Sequence, residues 1–239
     1  MNRLTRRVLF ACLLLIAGLP GSAEAQDEEG GVTFGVNGEV VSQYVWRGFK
    51  LYGTSLQPDA WMSLGNLTVG VWSSIALEGD FNEFDYYVSW YSELPVGELT
   101  LTWQDYFYPE ADGDLGDFFN FASGGEGAHT VEILGEFSPT ALPVTFLGGW
   151  NALNDPDHSA YGGVRTDISL PSFDLSAEVG MALNESPDYY GTEAGDIMYY
   201  GATVSRGLPV IGSLGPYVSA SVIHSPIEDK TFWVFALGF

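Results

Sequence analysis

The chain has 239 residues, of which 46% are hydrophobic and 15% aromatic, and its formal net charge at pH 7 is −23. A hydrophobic content this high excludes an intrinsically disordered chain, which combines low hydrophobicity with high charge. The strong negative charge argues against a nucleic-acid partner, because binding to phosphates needs basic patches.

Residues 1–25 have the pattern of a secretory signal peptide. Three arginines precede an apolar run over 8–19, and the small residues Ala23 and Ala25 indicate a cleavage site. The run is too short for a transmembrane helix, which needs about 20 apolar residues. Cys12 lies in this segment, so the remaining 26–239 has no cysteine and no disulfide or thiolate chemistry. Its net charge is about −25, because the signal contains three basic residues and one acidic residue.

Twelve strand-like segments follow, bounded by Gly, Pro, Asn and Asp. Most are close to the length of about 9–11 residues that a tilted transmembrane strand needs. The predicted strands are 32–46, 54–64, 67–78, 82–93, 98–108, 128–138, 143–153, 159–169, 173–183, 196–206, 214–224 and 230–239. An even number of strands closes a barrel with both termini in the periplasm, so we expect residues 26–239 to form an all-β fold, a transmembrane antiparallel up-and-down β-barrel of about 12 strands.

The connections between these segments alternate in length and charge. Short turns, such as 65–66 and 171–172, alternate with longer or more acidic loops, such as 109–127 and 184–195. Outer-membrane barrels have short periplasmic turns and longer extracellular loops. A soluble periplasmic β-protein, the other option for an exported chain of this composition, has no reason to sort its connections in this way. We therefore expect a barrel in contact with outer-membrane lipid.

Charged and apolar residues lie on opposite phases of the predicted strands, and therefore on opposite faces. In 82–93, Val88 and Trp90 share one phase, whereas Glu83 and Asp85 share the other. A charged side chain facing lipid at mid-membrane costs up to about 2–4 kcal/mol, so the charged phase should face the lumen.

Asp105 does not follow this rule, because it shares the phase of Leu101 and Trp103. Either a β-bulge shifts the register at this point, or Asp105 lies near the outer interface of the membrane.

Aromatic residues lie near the ends of several predicted strands. This placement is typical of an interfacial aromatic girdle, although strand propensity also favours aromatic residues. The residues concerned are Tyr44, Trp46, Phe49, Tyr106, Tyr108, Tyr199 and Tyr200.

The last segment, 230–239, alternates almost perfectly. Trp233, Phe235, Leu237 and Phe239 share one phase, and the residues between them are smaller on average. Outer-membrane barrels carry such a last strand with a final Phe, so the pattern predicts recognition by the barrel-assembly machinery and a lipid-facing phase.

Four short motifs occur together in the first half of the chain. They are Ser42-Gln43-Tyr44-Val45-Trp46-Arg47-Gly48, Gly70-Val71-Trp72-Ser73-Ser74, the Glu83 to Tyr87 stretch and Tyr106-Phe107-Tyr108-Pro109. In these motifs, and over about residues 35–110, the chain resembles the TorF family of proteobacterial outer-membrane porins. The resemblance implies a monomer-sized barrel with channel activity and adds little about the solute.

The charged residues on the lumen phase are the candidate site. The predicted pore-lining residues are Glu39, Arg47, Asp59, Glu83, Asp85, Glu132, Glu136, Arg165, Asp167, Asp174 and Glu178. Acidic side chains around an aqueous passage attract cations and repel anions, so we expect a porin that passes small solutes passively with a preference for cations.

Two alternatives stay open for these residues. Twelve strands enclose less space than the 16–18 of general porins, so the same groups can fill a lumen that does not conduct, in a structural or adhesion barrel with acidic outer loops. Arg47, at the outer end of the first strand, either contacts a solute or pairs with Asp59 or Asp85 to fix the barrel mouth.

The acidic loop 109–127 contains Asp112, Asp114 and Asp117. Its spacing does not fit a calcium loop, because Ser123 stands where the twelfth position needs Glu. Calcium or magnesium binding stays open, but the expectation is a solvated loop, with no metal site and no cofactor.

The three histidines are His129, His158 and His224. His158 is adjacent to Ser159, but neighbours in a strand point to opposite faces and do not form a catalytic pair easily. The chain also lacks a nucleophile-elbow pattern, so we expect no enzymatic activity.

Overall fold

The computed structural model describes residues 31–79, 81–109, 117–210 and 215–239. The expected signal peptide, 1–25, lies outside the described residues. In the described part of the chain the fold is all-β. These residues include no helix with the length and apolar character needed to cross a membrane.

The described residues form fourteen strands. In chain order they are β1 (Val32–Val41), β2 (Tyr44–Trp46), β3 (Phe49–Tyr52), β4 (Ser55–Leu64), β5 (Leu67–Ala76), β6 (Asn82–Leu94), β7 (Gly97–Phe107), β8 (His129–Pro139), β9 (Thr145–Leu153), β10 (Ala160–Leu170), β11 (Phe173–Ala182), β12 (Ile197–Gly207), β13 (Tyr217–Ser225) and β14 (Lys230–Gly238). Twelve of them form a closed antiparallel up-and-down barrel, and β2 and β3 form a separate hairpin. The predicted fold and strand number are confirmed.

The barrel closes where β1 meets β14. Glu39 pairs with Gly238, and Val41 pairs with Ala236. The final residue extends this seam, because Phe239 N–H donates to the Gly38 carbonyl at 3.0 Å and Gly38 N–H donates to the Phe239 carbonyl at 3.2 Å. Closure satisfies backbone groups that an open sheet would leave unpaired at its edges.

The wall of the barrel is apolar outside and polar inside. On β14, Trp233, Phe235 and Leu237 are 53–61% exposed, whereas Phe232 on the other phase is 7% exposed. On β6 the carboxylates of Glu83 and Asp85 are buried on the lumen side. A continuous apolar outer surface around a polar interior defines a membrane-type barrel, because a soluble protein rarely exposes an apolar surface of this extent.

The prediction for the first strand, 32–46, is wrong. β1 ends at Val41, and the chain then leaves the wall and forms the β2–β3 hairpin. The hairpin turns at Arg47 and Gly48, whose φ angles are +48° and +84°. Two successive positive φ angles are typical of the tight turns that join hairpin strands. The other eleven predicted strands match the observed bounds to within three residues at each end.

The girdle interpretation is also wrong for most of the aromatic residues named above. Tyr44 and Trp46 belong to the hairpin, and Tyr44 is buried. Tyr106 and Tyr199 lie on the lumen phase and border the central cavity. Tyr200, by contrast, lies on the outer face and is 51% exposed.

Asp105 lies on the outward phase near the end of β7, and the first explanation for it, a β-bulge, is wrong. The pairing of β7 with β6 and with β8 runs through Asp105 without a register shift, so no bulge is present there. Asp105 is two residues from the end of β7, and its carboxylate accepts from His129 Nδ1 at 2.9 Å. Because the buried His129 compensates the Asp105 carboxylate, this charge is stable on the outward phase and does not have to lie in the lumen.

The two faces of the wall should respond differently to a new charge. We predict that Val71→Arg, on the outer face at the middle of β5, lowers the free energy of unfolding in a bilayer by about 2–4 kcal/mol. Thr100→Arg, which faces the cavity from β7, should have a much smaller effect because its guanidinium stays in water. Urea unfolding in phospholipid vesicles measures both, and equal losses would contradict the assignment of the faces.

Candidate functional site

The lumen contains a cavity of about 690 Å³. We name the two ends of the barrel by their connections: the turn end has the short turns, and the loop end has the long loops. Polar side chains from several strands line the cavity, among them Asp59, Gln104, Glu136, Arg165, Glu178 and Thr203. The cavity is therefore a hydrophilic compartment inside an apolar shell.

The β2–β3 hairpin folds inward over this cavity near the loop end. The ring of Trp46 packs against Tyr106 of β7, with centroids 5.9 Å apart. Phe49 stacks on Tyr190, which belongs to the loop between β11 and β12, at 6.2 Å. Gly48 also approaches the wall closely, since an added Cβ would lie 2.9 Å from the Met198 carbonyl oxygen. The hairpin thus packs against both the wall and a second loop.

Arg47, at the tip of the hairpin, makes the main polar contact with the wall. Its Nη1 donates to Glu132 Oε1 at 2.8 Å, and its Nη2 donates to Glu132 Oε2 at 3.0 Å. The guanidinium also lies 4.1 Å from the ring centroid of Tyr161 and 4.5 Å from that of Trp46. Forked hydrogen bonds and cation–π contact are the interactions that arginine forms better than lysine.

The Arg47–Glu132 ion pair is buried but well compensated. The exposed fractions of the two side chains are 8% and 0%. Tyr106 donates its hydroxyl to Glu132 Oε2 at 2.6 Å, and Arg47 Nη1 donates to the Tyr190 hydroxyl oxygen at 2.6 Å. Burial raises the pKa of Tyr190 to about 12 in spite of the adjacent cation, so this hydroxyl is neutral at physiological pH. Arg47 therefore fixes the mouth through Glu132, and the predicted pairing with Asp59 or Asp85 is wrong.

Glu83 and Asp85 form a second group at the loop end, below the hairpin. They are 1% and 3% exposed. Tyr44 and Tyr108 lie close to Glu83, and Gln104 Nε2 donates to Asp85 Oδ2 at 3.0 Å. Glu83 Oε2 and Asp85 Oδ1 are buried without a donor among the described residues. Two carboxyl groups in such a site cannot both ionise freely, because like charges in a dry environment repel each other strongly.

The third group, Glu136, Arg165 and Asp167, lies near the turn end. Arg165 donates to Glu136 Oε2 at 3.1 Å and to Asp167 Oδ2 at 3.2 Å. The exposed fractions of the Arg165, Glu136 and Asp167 side chains are 32%, 48% and 59%. Water therefore reaches the lumen from the turn end, whereas the charged groups under the hairpin are dry.

The remaining candidates have tyrosine partners or are exposed, and Glu178 also lies opposite Arg165 in the pairing of β10 with β11. Glu39 accepts from the Tyr217 hydroxyl at 3.1 Å, and Asp59 accepts from the Tyr87 hydroxyl at 3.0 Å. Glu178 accepts from the hydroxyls of Tyr161 and Tyr199. Asp174 is exposed beside the turn between β10 and β11. The structure thus arranges the predicted lumen acids as pairs and small groups at different depths.

Sequence reasoning missed the tyrosines that complete the site. The position of Tyr106 near a strand end predicts a girdle residue, and Tyr190 lies in an acidic loop outside any predicted strand. Tyr161 begins the lumen phase of β10 that continues to Arg165. The phase of Tyr161 in the predicted strand was the available signal, because it places the hydroxyl in the lumen. No feature of the neighbouring sequence identifies Tyr190 as part of the site.

No group of three or more His, Cys, Asp or Glu side chains is placed to hold a metal ion in the ranges that the structure describes. Asp112 and Asp114, considered above for cation binding, lie outside those ranges. The histidines have other partners: His129 contacts Asp105, His158 Nδ1 lies 3.3 Å from the Asn151 carbonyl oxygen, and His224 Nδ1 lies 3.0 Å from Thr231 Oγ1.

The fold and the lumen together define a membrane-type β-barrel with a polar interior that is wet at one end. In comparisons with known proteins, no family model matches the chain, and no curated protein matches it. Among solved structures, the chain is similar to a protein from work described as "Unveiling the Mechanism Behind the in-meso Crystallization of Membrane Proteins". The TM-score is 0.46 and the identity 10%, over 85% of this chain and 82% of that chain.

The buried ion pair gives a double-mutant test of how the hairpin is held. We predict that Arg47→Met alone lowers the free energy of unfolding by about 3–5 kcal/mol, because it leaves Glu132 charged, buried and unpaired. The double variant Arg47→Met with Glu132→Leu should recover most of this loss. The matched control is Arg165→Met at the exposed ion pair, which should cost at most about 1 kcal/mol. Denaturant titration of the refolded barrel measures each, and a double variant no better than the single one would contradict the buried-charge explanation.

Proposed function

We propose that the protein is an outer-membrane porin that passes small solutes passively and prefers cations. The turn end lies in the periplasm and the loop end outside the cell, as the lengths of the connections in outer-membrane barrels indicate. The observation that carries the proposal is the hydrophilic cavity of about 690 Å³ enclosed by a lipid-compatible wall.

The charges in the lumen support the preference for cations. Of the two candidate cations, Arg47 is neutralised by Glu132, and Arg165 is shared by Glu136 and Asp167. The lumen carboxylates without a basic partner leave a negative potential inside the barrel. Such a potential raises the local concentration of cations and repels anions.

The hairpin is the element that limits passage. It narrows the lumen at the loop end, where Arg47 and the aromatic contacts hold it against the wall. We propose that the conductance of the intact protein is small for this reason, and that its size depends on the hairpin more than on the wall.

The burial of this hairpin also favours a second candidate, a barrel that does not conduct. In that case the hairpin is a permanent plug, and the acidic loops at the loop end meet an external partner. The two candidates differ in one measurable property, the current through the unmodified protein.

Three further expectations belong to this proposal. The last strand, β14 followed by Phe239, serves recognition by the barrel-assembly machinery, and residues 1–25 direct export. Membership of the TorF family is proposed on the motifs quoted above. The absence of enzymatic activity stays a prediction, which a serine-directed fluorophosphonate label on the folded protein tests.

Planar-bilayer recording tests the porin proposal. We expect small cation-selective steps from the purified protein and larger steps when residues 43–53 are replaced by a short Gly-Ser turn. Glu136→Gln combined with Asp167→Asn should weaken the selectivity, because Arg165 then loses its compensating charges. Glu193→Gln, at an exposed loop position, is the matched control and should leave the selectivity unchanged.

The recordings separate the candidates. If a current appears only when the hairpin has been removed, the hairpin is a permanent plug and the second candidate is favoured. Anion selectivity of the unmodified protein contradicts the proposed role of the lumen carboxylates.

A further inference from the structure

The loop before β8 folds back over the outside of the barrel. Phe118 packs edge-to-face on Phe107 of β7, with ring centroids 5.3 Å apart, and on Tyr86 of β6 at 5.9 Å. Phe121 stacks on His129, at the start of β8, at 4.1 Å. Tyr86, Phe107 and His129 lie on the outward phase of three neighbouring strands. Residues 117–128, which we call the clasp, therefore cover the wall and not the lumen.

A buried polar pair fastens the clasp to the wall. His129 Nδ1 lies 2.9 Å from both carboxylate oxygens of Asp105. His129 Nε2 lies 2.7 Å from the carbonyl oxygen of Phe118. A backbone carbonyl only accepts hydrogen bonds, so Nε2 carries a proton and donates it, while Nδ1 shares a proton with Asp105. One imidazole thus joins the barrel wall to the clasp through both of its nitrogens.

The cover ends where the apolar band begins. Under the clasp, Asp105, Phe107 and Val131 are 1–8% exposed. In the next layer towards the turn end, Trp103 and Ile133 are 38% and 41% exposed. The clasp is therefore seated directly beside the part of the wall that faces lipid.

The clasp presents aromatic side chains to its surroundings. Phe119 is 84% exposed and Phe121 is 48% exposed. Exposure of a Phe ring to water is unfavourable, whereas the boundary between lipid headgroups and acyl chains favours aromatic rings. The continuity with the apolar band points to lipid as the partner.

We propose that residues 117–128 form a lipid-contacting clasp, in which Phe119 and Phe121 enter the membrane boundary at the loop end and the His129–Asp105 pair holds them there. This inference rests on the membrane location proposed above. It adds an interaction surface that the porin proposal does not need.

Site-specific quenching tests the inference. Residues 26–239 contain no cysteine, so a cysteine introduced there is the single labelling site. Phe119→Cys, labelled with the fluorophore NBD, is placed in vesicles that contain nitroxide lipids of two kinds, one with the nitroxide near the headgroup and one with it on the acyl chain. Two reference positions receive the same label: Phe235→Cys, which is outward and 57% exposed, and Glu193→Cys, in an exposed loop. We expect the loss of fluorescence at position 119 to match that at 235, with none at 193.

The reference positions distinguish the two proposals. Quenching at 235 but not at 119 overturns the clasp and leaves the membrane location intact. No quenching at 235 overturns the membrane location itself, and the clasp with it.

A second arm tests the latch. In the Phe119→Cys background, His129→Ala should reduce the quenching at 119 towards the level at 193, and Asp105→Asn should reduce it in part. The matched control is His224→Ala, which removes another outward histidine bonded to Thr231 of the neighbouring strand. Folding of each variant is checked by its heat-modifiable migration on a detergent gel. Unchanged quenching in a folded His129→Ala protein would overturn the role of the pair.

Discussion

The structure depends on one constraint, that a sheet surrounded by hydrocarbon has to leave no backbone group unpaired. The barrel meets it through a seam between its first and last strands. Ten residue pairs join β1 to β4, but only three join β1 to β14, before Gly38 and Phe239 extend the seam. Once the sheet is closed, each strand has one face towards lipid and one towards a narrow interior. The alternation of side chains, the polar lumen and the apolar band all follow from that geometry.

Charged side chains in the lumen are compensated differently at the two ends of the barrel, because those at the loop end are buried and those at the turn end are in contact with water. At the loop end the hairpin excludes water, so the charge of Arg47 is stable only because Glu132 and two tyrosines compensate it. At the turn end Arg165 has two carboxylate partners at longer distances, and water does much of the compensation. The same residue types are therefore buried and structural at one end and remain in contact with water at the other.

The sequence predicted what depends on local periodicity and missed what depends on long-range contact. Alternation assigned the lumen and lipid faces of β6 and β14 correctly, because one phase in each is clearly more polar or smaller than the other. It did not reveal that the chain leaves the wall at Val41, because residues 44–46 are also residues that favour strands. The Arg47-Gly48 turn was the available signal. Asp105 was rightly identified as exceptional. Its partner, His129, was not predictable, since it depends on the pairing of β7 with β8 across a long loop.

The hairpin can vary independently of the barrel wall when sequences of this kind diverge. β2 and β3 form ladder hydrogen bonds with each other, and the two-stranded sheet is separate from the barrel sheet. Its attachment to the wall consists of side chains, chiefly those of Arg47 and the neighbouring aromatic residues. The width of the lumen can therefore change when a segment of about a dozen residues is exchanged, while the strands of the barrel wall keep their register. The residues that narrow the lumen and the residues that form the wall therefore lie in separate parts of the chain.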